Sequence, residues 1–275
     1  MNTSFDGRIC VMRKYLLFFK LSIQEYFEYR VNMLVIVLSG FVPFFATLFL
    51  WRAIYDAGGS VGNYTLADLA VYTVLSVSLR LITSMEAHFS VADDVRKGNL
   101  SNYLIKPMNY FWARFFRRLG LIPIRIIGSL VLGALFLLVL GEEISINLRV
   151  DGVIFFLLFS LLSVFLNYAL SFLYGCIAFW LKEILGVYVS IWFTVKFLSG
   201  TFFPLDLLGG LFKNIVLALP FQLGVYVPII ALLGKYEMVD YLKLSGLYVF
   251  WTFVVFLLVG FVWKKAQNHY ESVGI

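Results

Sequence analysis

Two basic residues lie deep inside apolar runs of the sequence, Arg80 in the run 69–90 and Lys196 in the run 185–205. At 1.5 Å per helical residue, each would lie roughly 16 to 18 Å from one membrane face, near the middle of a hydrocarbon core about 30 Å thick. A cation at that depth costs at least ~2.5 kcal/mol, so it normally faces a helix-bundle interior or a wet cavity, where it would attract a phosphate or a carboxylate. The polar residues that could line such a cavity beside Arg80 are Ser76, Thr83 and Ser84.

The alternative interpretation of both cations is structural. Each side chain would snorkel toward an interface, or pair with a backbone carbonyl or an acid such as Glu86, and so hold the helices together. The residues alone leave the two interpretations open.

A second candidate site is the strongly charged stretch 91–118, which separates two apolar runs. Gly98 can end one short helix by adopting a positive φ, and Pro107 ends a second one because the residue before a proline avoids the helical region. Three apolar residues between these stops share one face of a short helix, namely Leu100, Tyr103 and Leu104. The charged residues of the stretch are Asp93, Asp94, Arg96, Lys97, Lys106, Arg114, Arg117 and Arg118.

A short helix with an apolar face, placed between two membrane helices, suits docking onto a soluble partner. The alternative is an ordinary cytoplasmic loop whose basic residues only set the orientation of the chain. The spacing does not decide between them.

The composition indicates a polytopic membrane protein built from helices. Of the 275 residues, 61% are hydrophobic and 14% are charged, with a mean hydropathy of +0.90, whereas a soluble domain has about 25% charged residues. The formal net charge of +6 comes from basic residues at the ends of apolar runs, so it does not indicate a nucleic-acid partner. We predict one membrane domain over residues 1–275.

Six apolar runs are long enough to cross a bilayer as helices, namely 33–51, 69–90, 119–141, 153–181, 185–205 and 244–263. Most lysines and arginines then fall on one side of the membrane, which the positive-inside rule assigns to the cytoplasm together with both termini. The fourth run is longer than a straight span requires, which predicts a tilt or a break.

Two further segments have their own patterns. Within a cytoplasmic segment 1–32, residues 13–30 predict an amphipathic helix in the membrane interface, or alternatively the polar start of the first span. Residues 206–243 contain Pro220 and Pro228 and predict an outer re-entrant hairpin of two short helices. A seventh span is the alternative there, but it would move the basic end of the last run to the outside.

The sequence lacks the residue patterns that several kinds of catalytic or binding site require. The chain contains no G-x-x-x-x-G-K-[ST] loop for ATP and no G-x-S-x-G nucleophile motif. His88 and His269 have no second histidine or cysteine at metal-ligand spacing, and Cys10 and Cys176 form no zinc or disulfide pattern. We therefore expect neither an enzyme nor a metal or cofactor site in this chain.

The stretch Arg-Lys-Gly-Asn-Leu-Ser-Asn-Tyr-Leu-Ile-Lys-Pro at 96–107 resembles the loop between spans two and three of ABC-2 type permeases. It is most similar to the branch of daunorubicin-resistance exporters. A second similarity is Ser-Gly-Thr-Phe-Phe-Pro-Leu at 199–205, followed by Leu-Pro-Phe at 219–221 and by Pro228. One departure is that the acids are Asp93 and Asp94, where many relatives have a glutamate nearer the glycine.

The resemblance implies a type V (ABC-2) permease, the membrane subunit of an exporter in the bacterial plasma (inner) membrane. It would pair with a second permease, as homodimer or heterodimer, and with two copies of a separate ATPase that binds ATP and Mg. The cargo would be a hydrophobic or amphipathic drug, lipid, peptide or natural product, moved outward among membrane lipids. Spans two and five would surround its path, so that Arg80 and Lys196 would face one cavity. The residues that would couple to the ATPase are Asp93, Asp94, Arg96, Gly98, Leu100, Tyr103, Leu104, Lys106 and Pro107.

Two other functions compete with this one. A lipid-processing membrane enzyme would require clustered Asp, Glu or His residues at the interface, which the sequence lacks. A structural or scramblase-like membrane subunit without energy input stays open on the sequence alone.

Overall fold

The computed structural model of the chain describes residues 14–25, 30–140, 149–181 and 184–270, and it is helical throughout these ranges apart from turns and an isolated bridge between Val61 and Tyr64. The helices are α1 (14–25), α2 (Arg30–Asp56), α3 (Leu66–Thr83), α4 (Ala87–Arg96), α5 (Ser101–Leu104), α6 (Tyr110–Leu119), α7 (Ile122–Leu140), α8 (Val150–Cys176), α9 (Leu185–Leu198), α10 (Gly210–Ala218), α11 (Tyr226–Leu232) and α12 (Met238–Gln267). Short 3-10 turns occupy Ile177–Phe179, Leu205–Leu207 and Pro220–Gly224. The predicted class, an all-α polytopic protein, is confirmed.

Within the described ranges, four helical segments are long and apolar enough to cross a membrane, namely Leu66–Arg96, Tyr110–Phe136, Val150–Phe179 and Met238–Gln267. They correspond to the second, third, fourth and sixth predicted runs. Over the first run, α2 continues through Pro43 for 27 residues. The fourth run is helical from Val150 to Phe179 and ends in a 3-10 turn at Ile177–Phe179. The tilt or break that its length suggests stays a prediction.

The fifth run forms a shorter helix than predicted. α9 has 14 residues, which is about 21 Å at 1.5 Å per residue, against the predicted span 185–205. The chain turns at Gly200, whose φ of +77° is readily adopted only by glycine. The amide of Thr201 then bonds the carbonyl of Lys196 at 3.2 Å, which closes the end of the helix.

α1 lies in the segment predicted to be amphipathic, and residues 1–13 and 26–29 of that segment lie outside the described residues. One side of α1 packs on the protein, because Tyr15 stacks on Phe116 at 5.6 Å between ring centres. The opposite side leaves three leucines about half exposed, namely Leu16, Leu17 and Leu21. That outer side also carries exposed Lys20 and Gln24, and the place of α1 in a membrane interface stays a prediction.

α8 is the central helix, packed against α3, α4, α11 and α12. Several polar groups within this core are paired, as burial favours. The hydroxyl of Tyr168 donates to the carbonyl of Phe111 at 2.7 Å. The Leu223 carbonyl accepts from Ser163 at 2.6 Å and from Tyr248 at 2.5 Å. These bonds join α8 to α6, to α12 and to the turn Pro220–Gly224.

Two short helices occupy the region 206–243, α10 with nine residues and α11 with seven. The turn between them begins at Pro220, which starts a new segment because its ring excludes the preceding helical bond. α11 is buried, with Val227 and Ile229 fully inaccessible. No continuous helix runs through 214–233, so the alternative of a seventh span is not realised.

Candidate functional site

The helix through the second apolar run is broken at three residues, Ser84, Met85 and Glu86. Glu86 has a φ of 38°, in the left-handed region that costs a residue with a Cβ about 1 kcal/mol or more. Arginines from the following helices bond the backbone exposed by the break. Arg125 donates to the Ser84 carbonyl, and Arg118 donates to the Glu86 carbonyl at 2.9 Å.

The break lines a cavity of about 50 Å³ between α3, α4, α8 and α9. Its polar and aromatic lining consists of Arg80, Ser84, Glu86, His88, Asn167, Ser171, Tyr174, Tyr188 and Trp192. Several of these groups are held in place by hydrogen bonds. The Nδ1 of His88 lies 2.9 Å from the Ser171 hydroxyl, and the Asn167 amide donates to the Ser163 carbonyl at 2.9 Å. The lining is thus fixed before any ligand enters.

Arg80 brings an unpaired guanidinium to this cavity. Among the residues that the structure describes, it forms neither a hydrogen bond nor an ion pair within 4 Å. The charge of Glu86 acts on it only from a longer distance, so the predicted alternative of a direct Arg80–Glu86 pair is not formed. A guanidinium has five N–H donors and no acceptor, which suits it to an anionic oxygen.

Lys196 lies beside the cavity. Its Nζ is 3.4 Å from the centre of the Trp192 ring, and that ring lines the cavity. The contact is a cation–π interaction, which stabilises a cation in apolar surroundings. Because Trp192 and Arg80 line the same cavity, the structure brings the two predicted cations to one region.

Two of the three hydroxyl residues predicted to line the cavity lie elsewhere. Ser76 is fully buried and donates to the Thr201 carbonyl at 3.0 Å. Thr83 is also buried and donates to the Gly224 carbonyl at 3.5 Å. Their hydroxyls join α3 to the chain after α9 and to the turn Pro220–Gly224, so the prediction is wrong for both. Of the three, Ser84 lines the cavity.

The second candidate region is built on a buried ion pair between Asp94 of α4 and Arg114 of α6. Asp94 also accepts a hydrogen bond from the Tyr110 hydroxyl at 2.5 Å. The guanidinium of Arg114 lies 4.9 Å from the ring centre of Tyr103 and 5.6 Å from that of Tyr110. The two opposite charges therefore neutralise each other inside the protein, next to a hydroxyl and two ring faces. The Nε of Arg114 has no hydrogen-bond partner among the described residues.

The predicted coupling residues before the short helix α5 divide between surface and interior. Asp93 is exposed and pairs with Lys97 at 3.0 Å, and Arg96 is exposed as well. Gly98 has a φ of +71°, as predicted for a helix stop. Its carbonyl accepts from the Tyr270 hydroxyl at 3.2 Å, which ties the turn to the end of α12.

The predicted apolar face of α5 is only partly available to a partner. Leu100 is fully buried in the core, and Tyr103 is partly buried between Arg114 and Phe18. A docking role for Leu100 is therefore wrong, because a fully buried side chain cannot contact a partner. Leu100 instead anchors the four-residue helix α5 to the core. Leu104 remains 43% exposed and is followed by Ile105 at 81%. With Lys106 and Pro107 they form the exposed turn, residues 104–107.

α4 connects the cavity to the exposed turn. It begins at the break beside the cavity and ends two residues before Gly98. Its 10 residues span about 15 Å. The helix packs on α8 and on the turn Ile177–Phe179, while Leu100 bonds the Asp94 carbonyl at 3.0 Å. One helix therefore lies between the cavity and the chain that leads to the exposed turn.

The sequence analysis missed the cavity residues contributed by α8 and α9. Asn167, Ser171 and Tyr174 follow each other at i, i+4 and i+7, which places them on one face of a helix. This polar stripe inside an apolar run was the signal that could have found them. Tyr188 and Trp192 repeat the i, i+4 spacing on α9 but do not differ in type from many lipid-facing aromatics.

A known protein family matches most of the chain. The model of this family, described as "ABC-2 family transporter protein", matches residues 41–274, which include the cavity, α4 and the exposed turn. A comparison with curated proteins found no match. Among the described residues, no group of three or more His, Cys, Asp and Glu side chains lies close enough to hold a metal ion.

Proposed function

Because the chain belongs to the ABC-2 family of transporter proteins, we propose that it is the permease subunit of an exporter driven by a separate ATPase. The chain is a multi-pass membrane protein. The cargo that we propose is hydrophobic or amphipathic with an anionic group, and it moves outward across the plasma membrane of a bacterium.

The observation that most supports this function is the position of α4, which begins beside the cavity and ends two residues before Gly98, on the chain that leads to the exposed turn. In our proposal, the ATPase binds the exposed turn 104–107 and moves it on closing over ATP and Mg. α4 transmits that movement because Asp94, Arg114 and Leu100 fix the turn to it. The break at 84–86 absorbs the change in angle, since its backbone is already outside the helical bonding pattern.

The proposed cargo class follows from the charge at the cavity. Arg80 supplies a guanidinium without a partner among the described residues, and Lys196 adds a second positive charge beside it. The aromatic rings of Tyr174, Tyr188 and Trp192 in the same lining suit an apolar body attached to the anionic group. A cavity of about 50 Å³ is small for a whole cargo molecule, so we assign it to the anionic group.

Two copies of the ATPase and a second permease complete the proposed complex. The second permease is either another copy of this chain or a relative. Co-purification of the chain from membranes, followed by mass spectrometry of the bound proteins, tests this assembly. Recovery of the chain with no P-loop ATPase would contradict the proposed function.

The variant Leu104→Asp tests the docking role of the exposed turn. A carboxylate in a desolvated docking groove costs several kcal/mol if it is unpaired, so we expect loss of the co-purified ATPase and of cargo-stimulated ATP hydrolysis. Asn102→Asp is the control, because it adds the same charge to an exposed residue about 200° away around the short helix. Equal ATPase recovery with both variants and the wild type would remove the turn from the mechanism.

Labelling of single cysteines with an impermeant reagent tests the proposed orientation. With both termini in the cytoplasm, Asn63→Cys is labelled from outside intact cells and Asn99→Cys is not. Both residues are exposed, so a difference in labelling reports the side of the membrane. Asn147→Cys, beyond the described residues, is also expected to be labelled. Labelling of Asn99→Cys from outside would contradict the proposed orientation.

A further inference from the structure

A second cavity, of about 220 Å³, lies between α1, α4 and α6. It is separate from the cavity beside Arg80 and shares none of its lining residues. Its volume is far above the roughly 10–15 Å³ that one water molecule requires. Three arginines of α6 line it, namely Arg114, Arg117 and Arg118, together with Ser22 and Glu25 of α1.

Two buried polar atoms at this cavity lack a protein partner. The hydroxyl oxygen of Ser22 and the Nε of Arg114 form no hydrogen bond within the described part of the chain. Ser22 is 2% exposed, and the side chain of Arg114 is 9% exposed. A buried donor left unsatisfied costs about 1 to 3 kcal/mol, so both atoms favour a ligand that accepts hydrogen bonds.

The charge around the cavity favours an anion. Arg114 is neutralised by Asp94, and Arg117 is paired with Glu25 at 2.8 Å. Arg118 adds a third guanidinium to the lining and donates to the Glu86 carbonyl and, at 3.3 Å, to the Ser90 hydroxyl. Three arginines and one carboxylate, Glu25, thus line the cavity, and guanidinium N–H groups donate to anionic oxygens.

The position of the cavity favours a ligand that comes from the membrane surface. α1 forms one wall, and its outer side exposes Leu16, Leu17 and Leu21, each between 48% and 53% accessible. A helix with such an outer side beside membrane-spanning helices lies at the boundary between headgroups and acyl chains. Arginine binds phosphate oxygens there with charge-assisted hydrogen bonds.

We propose that the cavity between α1, α4 and α6 binds a phosphate group, supplied by the headgroup of an anionic phospholipid. The ligand accepts from Arg114, Arg118 and Ser22, and it holds α1 against α4 and α6. The site is distinct from the cargo cavity, and it does not depend on the proposed export function.

The test is a titration of the purified full chain in mild detergent with phosphatidylglycerol or with phosphatidylcholine, followed by native mass spectrometry. Arg117→Gln and Glu25→Gln break the same ion pair but change the charge of the cavity in opposite directions. We expect Arg117→Gln to weaken phosphatidylglycerol binding about fivefold and Glu25→Gln to strengthen it by a similar factor. Lys97→Gln is the matched control, because it breaks an exposed pair with Asp93 outside the cavity.

Inorganic phosphate provides the second arm of the experiment. Inorganic phosphate could instead raise the melting temperature, most for Glu25→Gln and least for Arg117→Gln, while phosphatidylglycerol does not bind. In that case the site takes free phosphate. Selective binding of phosphatidylglycerol over phosphatidylcholine, with opposite shifts in the two variants, identifies the lipid. The proposal is overturned if neither ligand binds selectively, or if Arg117→Gln and Glu25→Gln shift the affinity in the same direction.

Discussion

Arg114 and Arg80 are both arginines within helical segments that cross the membrane, yet their surroundings differ. Arg114 has a buried carboxylate and two ring faces around its guanidinium. Arg80 lines a cavity and has no close partner among the described residues. A charge that the protein neutralises internally stabilises one conformation, whereas a charge left facing a cavity remains available for a ligand. The ion pair with Asp94 gives Arg114 a structural role in addition to its proposed place in the phosphate cavity, whereas Arg80 is proposed for binding alone.

The largest effect that we expect is from Asp94→Asn. This variant leaves the Arg114 charge buried without a counter-charge, which costs about 3 to 5 kcal/mol when one partner of a buried pair is removed. The measurement is the melting temperature and the yield of monodisperse protein in detergent. Asp93→Asn, on the exposed neighbour, is the control and should leave both quantities unchanged. Equal stability of the two variants would mean that the Asp94–Arg114 pair is not structural.

A smaller loss of stability is expected from Lys196→Gln. The substitution removes the cation–π contact with Trp192, which contributes about 0.5 to 1 kcal/mol where solvent reaches the pair and more where it does not. The melting temperature of Trp192→Leu should fall by a similar amount, and the double variant should fall little further. Additive losses in the double variant would show that the two side chains act independently.

The smallest effect on stability is expected from Arg80→Gln. No close partner is lost, and a partly buried charge is removed, so the free energy of unfolding should stay within about 0.5 kcal/mol or increase. Transport of an anionic cargo should nevertheless fall at least about tenfold, because a charge-assisted hydrogen bond contributes about 1.5 to 3 kcal/mol. Transport at the wild-type rate, with the variant folded and bound to its ATPase, would end the assignment of Arg80 to cargo binding.

The helical class and most helix positions could be predicted because long apolar runs between basic clusters determine them. The break at 84–86 could not. Ser84, Met85 and Glu86 contain no proline or glycine, and the helix is interrupted where Arg118 and Arg125 bond its carbonyls. Those arginines come from elements more than 30 residues later in the chain, and local propensity does not contain that information.

The candidate sites show the same distinction between what local sequence determines and what tertiary packing determines. Arg80 and Lys196 could be identified because each is a charge inside an apolar run. The free-energy cost of placing that charge in a membrane depends on the run itself and can be read from the sequence. The predicted partners Ser76 and Thr83 were wrong because spacing on one helix does not say which neighbour each side faces. Asp93 and Asp94 are equivalent in the sequence, and only the packing of α4 on α6 buries one of them. Leu100 failed as a docking residue for the same reason.

The hydrogen bonds of Tyr270 to Gly98 and to the Ser101 hydroxyl anchor the chain just before the exposed turn, and they form only after the last helix has been synthesised. A ribosome adds residues in order, at about 5 to 20 per second. The turn therefore leaves the ribosome well before the last helix has been made and inserted. A nascent chain presents the turn without this anchor, and only a chain that has inserted α12 presents it in final form. Partner recruitment through the turn would thereby be restricted to fully synthesised subunits.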